Sequence, residues 1–140
     1  MSARLAHHSP ADMRERHVQK GVLIVDDDAI VRSLVRRLFQ SYPEFEVLGE
    51  AVDGQDAIEQ AERLNPDLII LDLVMPVMNG LQAAPELRKI LPDAALILFT
   101  HHNGHPVELL AKDAGIHAVV PKSQASSRLI AQAQTLLRKS

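Results

Sequence analysis

Carboxylates follow two short apolar runs of this 140-residue chain. Three aspartates at 26–28 come directly after Val-Leu-Ile-Val, and Asp72 comes directly after Leu-Ile-Ile-Leu. Hard divalent cations such as Mg2+ prefer oxygen ligands of this kind, and an aspartate can also act as the nucleophile that forms an acyl phosphate. These residue types therefore suggest metal-assisted phosphoryl transfer.

A hydroxyl and an amine follow two other apolar runs. Thr100 comes after Ala-Leu-Ile-Leu-Phe, and Lys122 comes after Ala-Val-Val-Pro. A lysine can pair with a phosphoryl oxygen as a point charge, and a threonine can donate its hydroxyl to another. Phosphoryl transfer depends mainly on positioning and electrostatics, so few further groups are needed.

The apolar runs alternate with stripes of apolar residues at helical spacing. In the first stripe, from Ile30 to Phe39, they recur three and four residues apart, and Asp28 precedes it as a candidate N-cap. We predict five strands, each followed by a helix, at residues 22–25, 45–50, 68–71, 95–99 and 117–120. This alternation predicts an α/β fold: a five-stranded parallel sheet with helices on both faces, in the flavodoxin-like order 2-1-3-4-5.

That strand order determines where the polar residues meet. Sites in open parallel sheets lie beyond the carboxyl ends of the strands, where the order reverses. Strands one and three would be neighbours, so Asp26, Asp27 and Asp72 would crowd one pocket. Three like charges there need compensation, which a magnesium ion would supply. We expect Asp72 to be the nucleophile, with Thr100 and Lys122 facing it.

Composition and charge exclude several classes of function. The chain has 46% hydrophobic and 24% charged residues and no cysteine, so disulfides and thiolate zinc sites are excluded. Residues 1–20 carry four basic and two acidic residues, and the remainder carries 11 basic and 16 acidic residues. A body with that acidic excess is a poor nucleic-acid binder. No apolar run approaches the roughly 20 residues of a membrane span, so we expect a cytoplasmic protein.

The chain divides into a tail and one domain. Residues 1–20 are polar and mixed in charge, and they predict a flexible tail with room for one helical turn at 11–18. Residues 21–140 are the right length for a single domain with its own core.

Four motifs resemble the receiver domain (CheY-like) of two-component response regulators. They are LIVDDD at 23–28, DLIILDLVMPVMNG at 67–80, ILFT at 97–100 and AGIHAVVPKS at 114–123. The resemblance covers residues 21–140, and the four motifs stand in the order of that family. It implies that Asp72 is the phosphoacceptor of a phosphorelay.

The resemblance also implies the other site residues. Asp26 and Asp27 would form the acidic pair, with Asp27 the more direct ligand of Mg2+ or Mn2+. The backbone carbonyl of Val74 would complete the protein's share of the metal shell. Thr100 and Lys122 would take the switch and phosphate-contact roles.

The resemblance implies partners as well. A sensor histidine kinase or phosphotransfer protein would donate the phosphoryl group. Phosphorylation would then alter the protein-interaction surface formed by the fourth helix, fifth strand and fifth helix.

We expect no enzyme activity beyond metal-dependent self-phosphotransfer and autodephosphorylation. The sequence leaves the downstream target and the formation of a homodimer open. A single-domain regulator and a fragment of a longer chain both fit the absence of an output domain after residue 140.

Three residues depart from the family pattern. His101 stands where a small residue usually guards the acceptor aspartate, so its bulk is expected to slow small phosphodonors. Val119 replaces an aromatic residue that is often coupled to the switch threonine. Ser123 follows the lysine where many members have proline.

Three alternatives stay open at this point. The first is a degenerate receiver that acts as a phosphorylation-independent docking module. The second is a haloacid-dehalogenase-like phosphatase, in which Asp26 is the nucleophile and Asp28 the acid/base. The third is a transition-metal site formed by His101, His102 and His105, since imidazole is a common ligand.

Overall fold

The computed structural model describes residues 19–102 and 104–138. Its strands form one five-stranded parallel sheet in the order β2-β1-β3-β4-β5, so the predicted fold is confirmed. The strands are β1 (Lys20–Val25), β2 (Phe45–Ala51), β3 (Leu68–Leu71), β4 (Ala95–Thr100) and β5 (Ala118–Pro121). The helices are α1 (Ala29–Gln40), α2 (Gly54–Leu64), α3 (Gly80–Ile90), α4 (His105–Asp113) and α5 (Ile130–Arg138).

The three inner strands are apolar because both of their faces are covered. Every residue of β3 and β4 is buried, and so is every residue of β1 after Lys20. Strands buried on both faces read as continuous apolar runs rather than alternating ones. β2 lies at one edge of the sheet, which agrees with the charged residues Glu46 and Glu50 in its sequence.

Two apolar layers sandwich the sheet. One face packs against α2, α3 and α4, where alanines such as Ala57 and Ala84 are fully buried. The other face packs against α1 and α5, and there Phe39 meets Phe45 edge to face with ring centroids 4.9 Å apart. Small residues on the first face let three helices lie close to the strands.

The ends of α1 and α3 agree with local capping chemistry. A carboxylate oxygen of Asp28 accepts hydrogen bonds from the backbone N–H groups of Ile30 (2.9 Å) and Val31 (3.4 Å), so the predicted N-cap is confirmed. At α3, the Asn79 and Gln82 side chains cap each other's backbone reciprocally.

Some local predictions differ from the structure. Within the predicted apolar stripe of α1, Ile30 and Leu34 are exposed, because the sheet is covered by the side of the helix that carries Val35 and Phe39. From the sequence alone, Pro85 is expected near the first turn of the third helix, where proline is better tolerated. It lies in the second turn of α3, where its missing N–H removes one helical hydrogen bond.

The segment after β5 is less regular than predicted. The last helical stripe is preceded by a 3-10 turn (Lys122–Gln124) and a π-helical segment (Ala125–Leu129). The predicted helical turn at 11–18 lies outside the described residues, and the predicted domain limits of 21–140 stay a prediction. No helix in the described part of the chain is long and apolar enough to cross a bilayer.

Candidate functional site

The register between β1 and β3 brings the acidic residues together. Val25 pairs with Leu71, so the residues that follow them, Asp26 and Asp72, leave neighbouring strands side by side. The Asp72 N–H donates to the Val25 carbonyl at 3.0 Å, which extends the strand pairing to the aspartate itself. Sequence-distant aspartates thus meet because strands one and three pair directly.

Three carboxylates share one small space at this edge. Asp26, Asp27 and Asp72 each place an oxygen so that all three lie within 4.8 Å of one another. Asp26 and Asp72 are buried, whereas Asp27 is exposed. Carboxylates this close need a cation, and oxygen donors from three acids fit a hard divalent ion.

Lys122 lies between two of these acids. Its ammonium is 2.7 Å from Oδ2 of Asp26 and 3.2 Å from Oδ2 of Asp72, with only 8% of the side chain exposed. Burial by itself would lower the pKa of Lys122, but the hydrogen bond to Asp26 and the charge of Asp72 outweigh burial and raise it. The lysine is therefore charged and held at the centre of the site.

Asp72 is held in an environment that opposes its charge. Burial and the neighbouring charge of Asp26 raise the pKa of Asp72. The ammonium of Lys122 and the Leu73 N–H, which donates to Oδ1 at 2.8 Å, act in the opposite direction. Because these effects oppose each other, a cation or phosphoryl group that enters the pocket would change the pKa of Asp72 strongly.

Thr100 lies at the same edge, at the end of β4. The register pairs it with Pro121, the residue before Lys122, and the threonine is fully buried. Its Oγ1 accepts a hydrogen bond from the His102 N–H at 3.1 Å. The three acids, the threonine and the lysine predicted from the sequence therefore lie together at the carboxyl edge of the sheet.

The fold and this geometry agree with comparisons to known proteins. The family model described as the response regulator receiver domain matches residues 22–134. The chain belongs to this family. The predicted resemblance is confirmed.

Relatives of this receiver domain include proteins of several architectures. A protein-glutamate methylesterase/protein-glutamine glutaminase from Aliivibrio fischeri is 40% identical over 102 residues, which are 72% of this chain and 27% of that protein. The chain thus spans about a quarter of the length of the methylesterase relatives that it matches.

Solved structures give the same result. A two-component response regulator of the LuxR family from Aurantimonas sp. SI85-9A1 superposes with a TM-score of 0.82 at 30% identity, covering 86% of each chain. The response regulator domain of Thermotoga maritima CheB superposes with a TM-score of 0.78 at 27% identity, covering 86% of this chain and 97% of that one.

The structure disfavours the two chemical alternatives. A phosphatase would need Asp28 as its acid/base, but this carboxylate caps α1. Among the described residues, the three acids are the only group of three or more potential metal ligands in one place, so His101, His102 and His105 form no such cluster.

Two residues of the receiver site were not singled out by sequence reasoning. Gly80 lies against the acceptor, because a Cβ built on it would be 2.2 Å from the Asp72 carbonyl oxygen. Arg32 donates from its guanidinium to the Asp26 carbonyl at 2.7 Å. Gly80 is part of the motif at 67–80 and could have been singled out from the sequence. Nothing in the sequence around Arg32 indicates its contact with Asp26.

Proposed function

We propose that this receiver domain accepts a phosphoryl group on Asp72. One observation carries the proposal: three carboxylates and the Lys122 ammonium converge at the carboxyl edge of the sheet. Like charges this close oppose each other unless cations compensate them, and among the described residues Lys122 pairs with Asp26 and Asp72 but not with Asp27. Such crowding is expected where a cation and a phosphoryl group must bind.

The transfer is a displacement at phosphorus. An oxygen of Asp72 forms a bond to the phosphorus while the bond between phosphorus and a histidine nitrogen of the donor breaks. The electron pair of the broken bond stays on that imidazole nitrogen. Lys122 lies 3.2 Å from the acceptor carboxylate, so its ammonium is placed to pair with a phosphoryl oxygen. The Thr100 hydroxyl would donate to another.

The donor set fits Mg2+ or Mn2+. Asp26 already uses both carboxylate oxygens, since Oδ1 accepts from the Asp28 N–H and Oδ2 pairs with Lys122. Asp27 is exposed, and in this proposal it would coordinate the ion directly together with Asp72. The backbone carbonyl of Val74, which the resemblance implies, would be the further protein ligand. When bound, the ion would neutralise charge on the phosphoryl oxygens.

We propose a sensor histidine kinase or phosphotransfer protein as donor. Next to the acidic site, α1 exposes Ile30 and Leu34. A hollow of about 210 Å³ runs between α1, His101 and Lys122, and its walls are mainly apolar. An apolar patch beside a charged site suits a transient protein partner. In this proposal, phosphorylation shifts the surface of α4, β5 and α5, to which Thr100 and Lys122 lead directly.

Phosphate incorporation tests the function. Wild type incubated with Mg2+ and a radiolabelled acyl-phosphate donor should gain one phosphoryl group, and Asp72→Asn should gain none. Asp28→Asn is the matched control, because asparagine also caps a helix and the variant removes a carboxylate from the same triplet. Incorporation that survives in Asp72→Asn would contradict the proposal, and loss in Asp28→Asn would favour the phosphatase alternative.

A phosphoryl mimic separates a working receiver from a degenerate one. Beryllofluoride with Mg2+ should shift the amide resonances of Asp72 and Thr100 and those of the α4-β5-α5 surface. Unchanged spectra would instead support phosphorylation-independent docking.

A further inference from the structure

Asp27 has no side-chain partner of its own. Within residues 19–102 and 104–138, its carboxylate accepts no hydrogen bond and forms no ion pair. The position of this carboxylate therefore depends on the backbone that carries it. That backbone is the peptide between Asp26 and Asp27, whose oxygen is the Asp26 carbonyl.

Arg32 holds this peptide from α1. Its guanidinium donates from one terminal nitrogen to the Asp26 carbonyl at 2.7 Å and from Nε to Glu50 at 2.8 Å. Only 16% of the Arg32 side chain is exposed. A charged donor on a backbone carbonyl makes a short, strong hydrogen bond, and the planar guanidinium directs both bonds at once.

Glu50 fixes the guanidinium in turn. Its second carboxylate oxygen pairs with Nε of Arg36 at 2.6 Å, so two arginines of α1 share one glutamate of β2. Burial would raise the pKa of Glu50, but the hydrogen bonds from Arg36 and Arg32 lower it. Glu50 is thus a charged anchor between β2 and α1.

We propose that Arg32 is a positioning residue for the metal site, acting through the Asp26–Asp27 peptide. This inference rests on the proposed function and extends it to a residue outside the acidic cluster. The guanidinium hydrogen bonds of Arg32 go to Glu50 and to the Asp26 carbonyl and, among the described residues, not to the acceptor Asp72, so its role would be to orient the Asp27 carboxylate that would hold the ion. Residues that orient metal ligands commonly change metal affinity about 10-fold or more when replaced.

The direction in which metal affinity changes when Arg32 is replaced distinguishes a positioning role from a simple effect of its charge. Replacing Arg32 with methionine removes a cation near three acids, which by charge alone would tighten the binding of a divalent ion. The positioning role predicts the opposite, a weaker site.

Arg36 provides the matched control. Arg36→Met removes the same charge from the same glutamate but has no contact with Asp26, and either single variant leaves Glu50 with one arginine. Mn2+ dissociation constants from the electron paramagnetic resonance of the free ion should rise about 10-fold in Arg32→Met. They should change by less than about 2-fold in Arg36→Met. Arg32→Lys should recover part of the loss, since an ammonium can still donate one hydrogen bond.

The Asp27 amide gives an independent readout. In metal-free protein, Arg32→Met should shift this amide resonance and speed its hydrogen exchange, and Arg36→Met should do neither. Equal Mn2+ losses in both variants, or wild-type affinity in Arg32→Met, would overturn the inference. A wild type that binds no Mn2+ would overturn the proposed metal site. In that case the chemical shift and hydrogen exchange of the Asp27 amide would still test whether Arg32 positions the peptide. Identical responses in Arg32→Met and Arg36→Met would show that it does not.

Discussion

The ammonium of Lys122 lies 2.7 Å from Oδ2 of Asp26, so this ion pair connects the residue after β5 with the residue after β1. β3 and β4 lie between those two strands, so the contact spans the carboxyl ends of four neighbouring strands. The same ammonium also reaches Asp72 at 3.2 Å. The positive charge of Lys122 therefore compensates the negative charges of both carboxylates.

Lys122→Met should destabilise the metal-free protein by about 3 kcal/mol, because two buried carboxylates lose their cation. Mg2+ should then raise the melting temperature more in this variant than in wild type, since the ion replaces the missing charge. Differential scanning calorimetry with and without Mg2+ measures both effects. Lys89→Met is the control, as its pair with Glu86 is largely exposed and should be worth less than about 1 kcal/mol. An equal Mg2+ gain in wild type and Lys122→Met would contradict the prediction.

Gly80→Ala should damage the site through the backbone of Asp72. The added Cβ would lie 2.2 Å from the Asp72 carbonyl oxygen, so α3 or the acceptor strand must move. We expect a loss of about 1 to 3 kcal/mol of stability and slower phosphate incorporation. Gly49→Ala is the comparison, because there the new Cβ meets side-chain ends and no backbone, with the flexible Leu64 side chain nearest at 2.8 Å and Leu23 at 4.0 Å. Urea unfolding should show the smaller loss for Gly49→Ala, with its incorporation rate unchanged.

Val77→Asn should stabilise the protein by about 0.5 to 1 kcal/mol. Val77 has φ 67°, a left-handed conformation that β-branched residues rarely adopt, and asparagine tolerates it better. The valine is 82% exposed, so the substitution removes little packing. Val52→Asn, at another exposed valine that is not among the residues with positive φ, should give no such gain. A lower denaturation midpoint for Val77→Asn would show that the backbone strain was misjudged.

His117 should make the fold weaker in mild acid. Its Nδ1 accepts a hydrogen bond from the Leu96 N–H at 2.9 Å, which requires that nitrogen to be unprotonated. Burial and the charge of Arg88 lower the pKa of His117 in the folded state. The unfolded chain therefore binds the proton more readily, so the stabilisation is present above the unfolded pKa of about 6.5 and is lost as the pH falls below it.

The variant His117→Asn keeps an acceptor without titrating. Its melting temperature should exceed that of wild type only in acid, with the difference growing from about pH 7 to about pH 5. The change should stay below about 1 kcal/mol, because the imidazole is only partly buried and solvent screens its charge. Parallel pH profiles for the two proteins would rule out this role.

Strong local signals made most of the fold and the acidic site predictable. The bounds of β3 were predicted as residues 68–71 because Pro66 and Asp72 flank a run that is buried on both faces. The Asp28 cap followed from its place before an apolar stripe. The meeting of Asp26 with Asp72 followed from the strand order, which handedness rules restrict to few choices.

Features that depend on orientation were not predictable. From the sequence, Arg32 is expected to be a solvent-exposed residue of an amphipathic helix. Its contacts with Glu50 and the Asp26 carbonyl depend on the orientation of α1 relative to β2. The exposure of Ile30 reflects the same helix rotation, which spacing does not determine. The positive φ of Val77 belongs to a tight three-residue turn, in which the Met78 N–H donates to the Pro76 carbonyl at 2.7 Å.

The position of β5 has a mechanical consequence. Within the described residues, this strand pairs only with β4, and three of its four residues are only half-buried. Its last residue precedes Lys122, whose ammonium pairs with Asp26 and Asp72. A change of charge at the acceptor would therefore act on an edge strand rather than on the buried inner strands, and we expect β5 to move more readily than β1, β3 or β4.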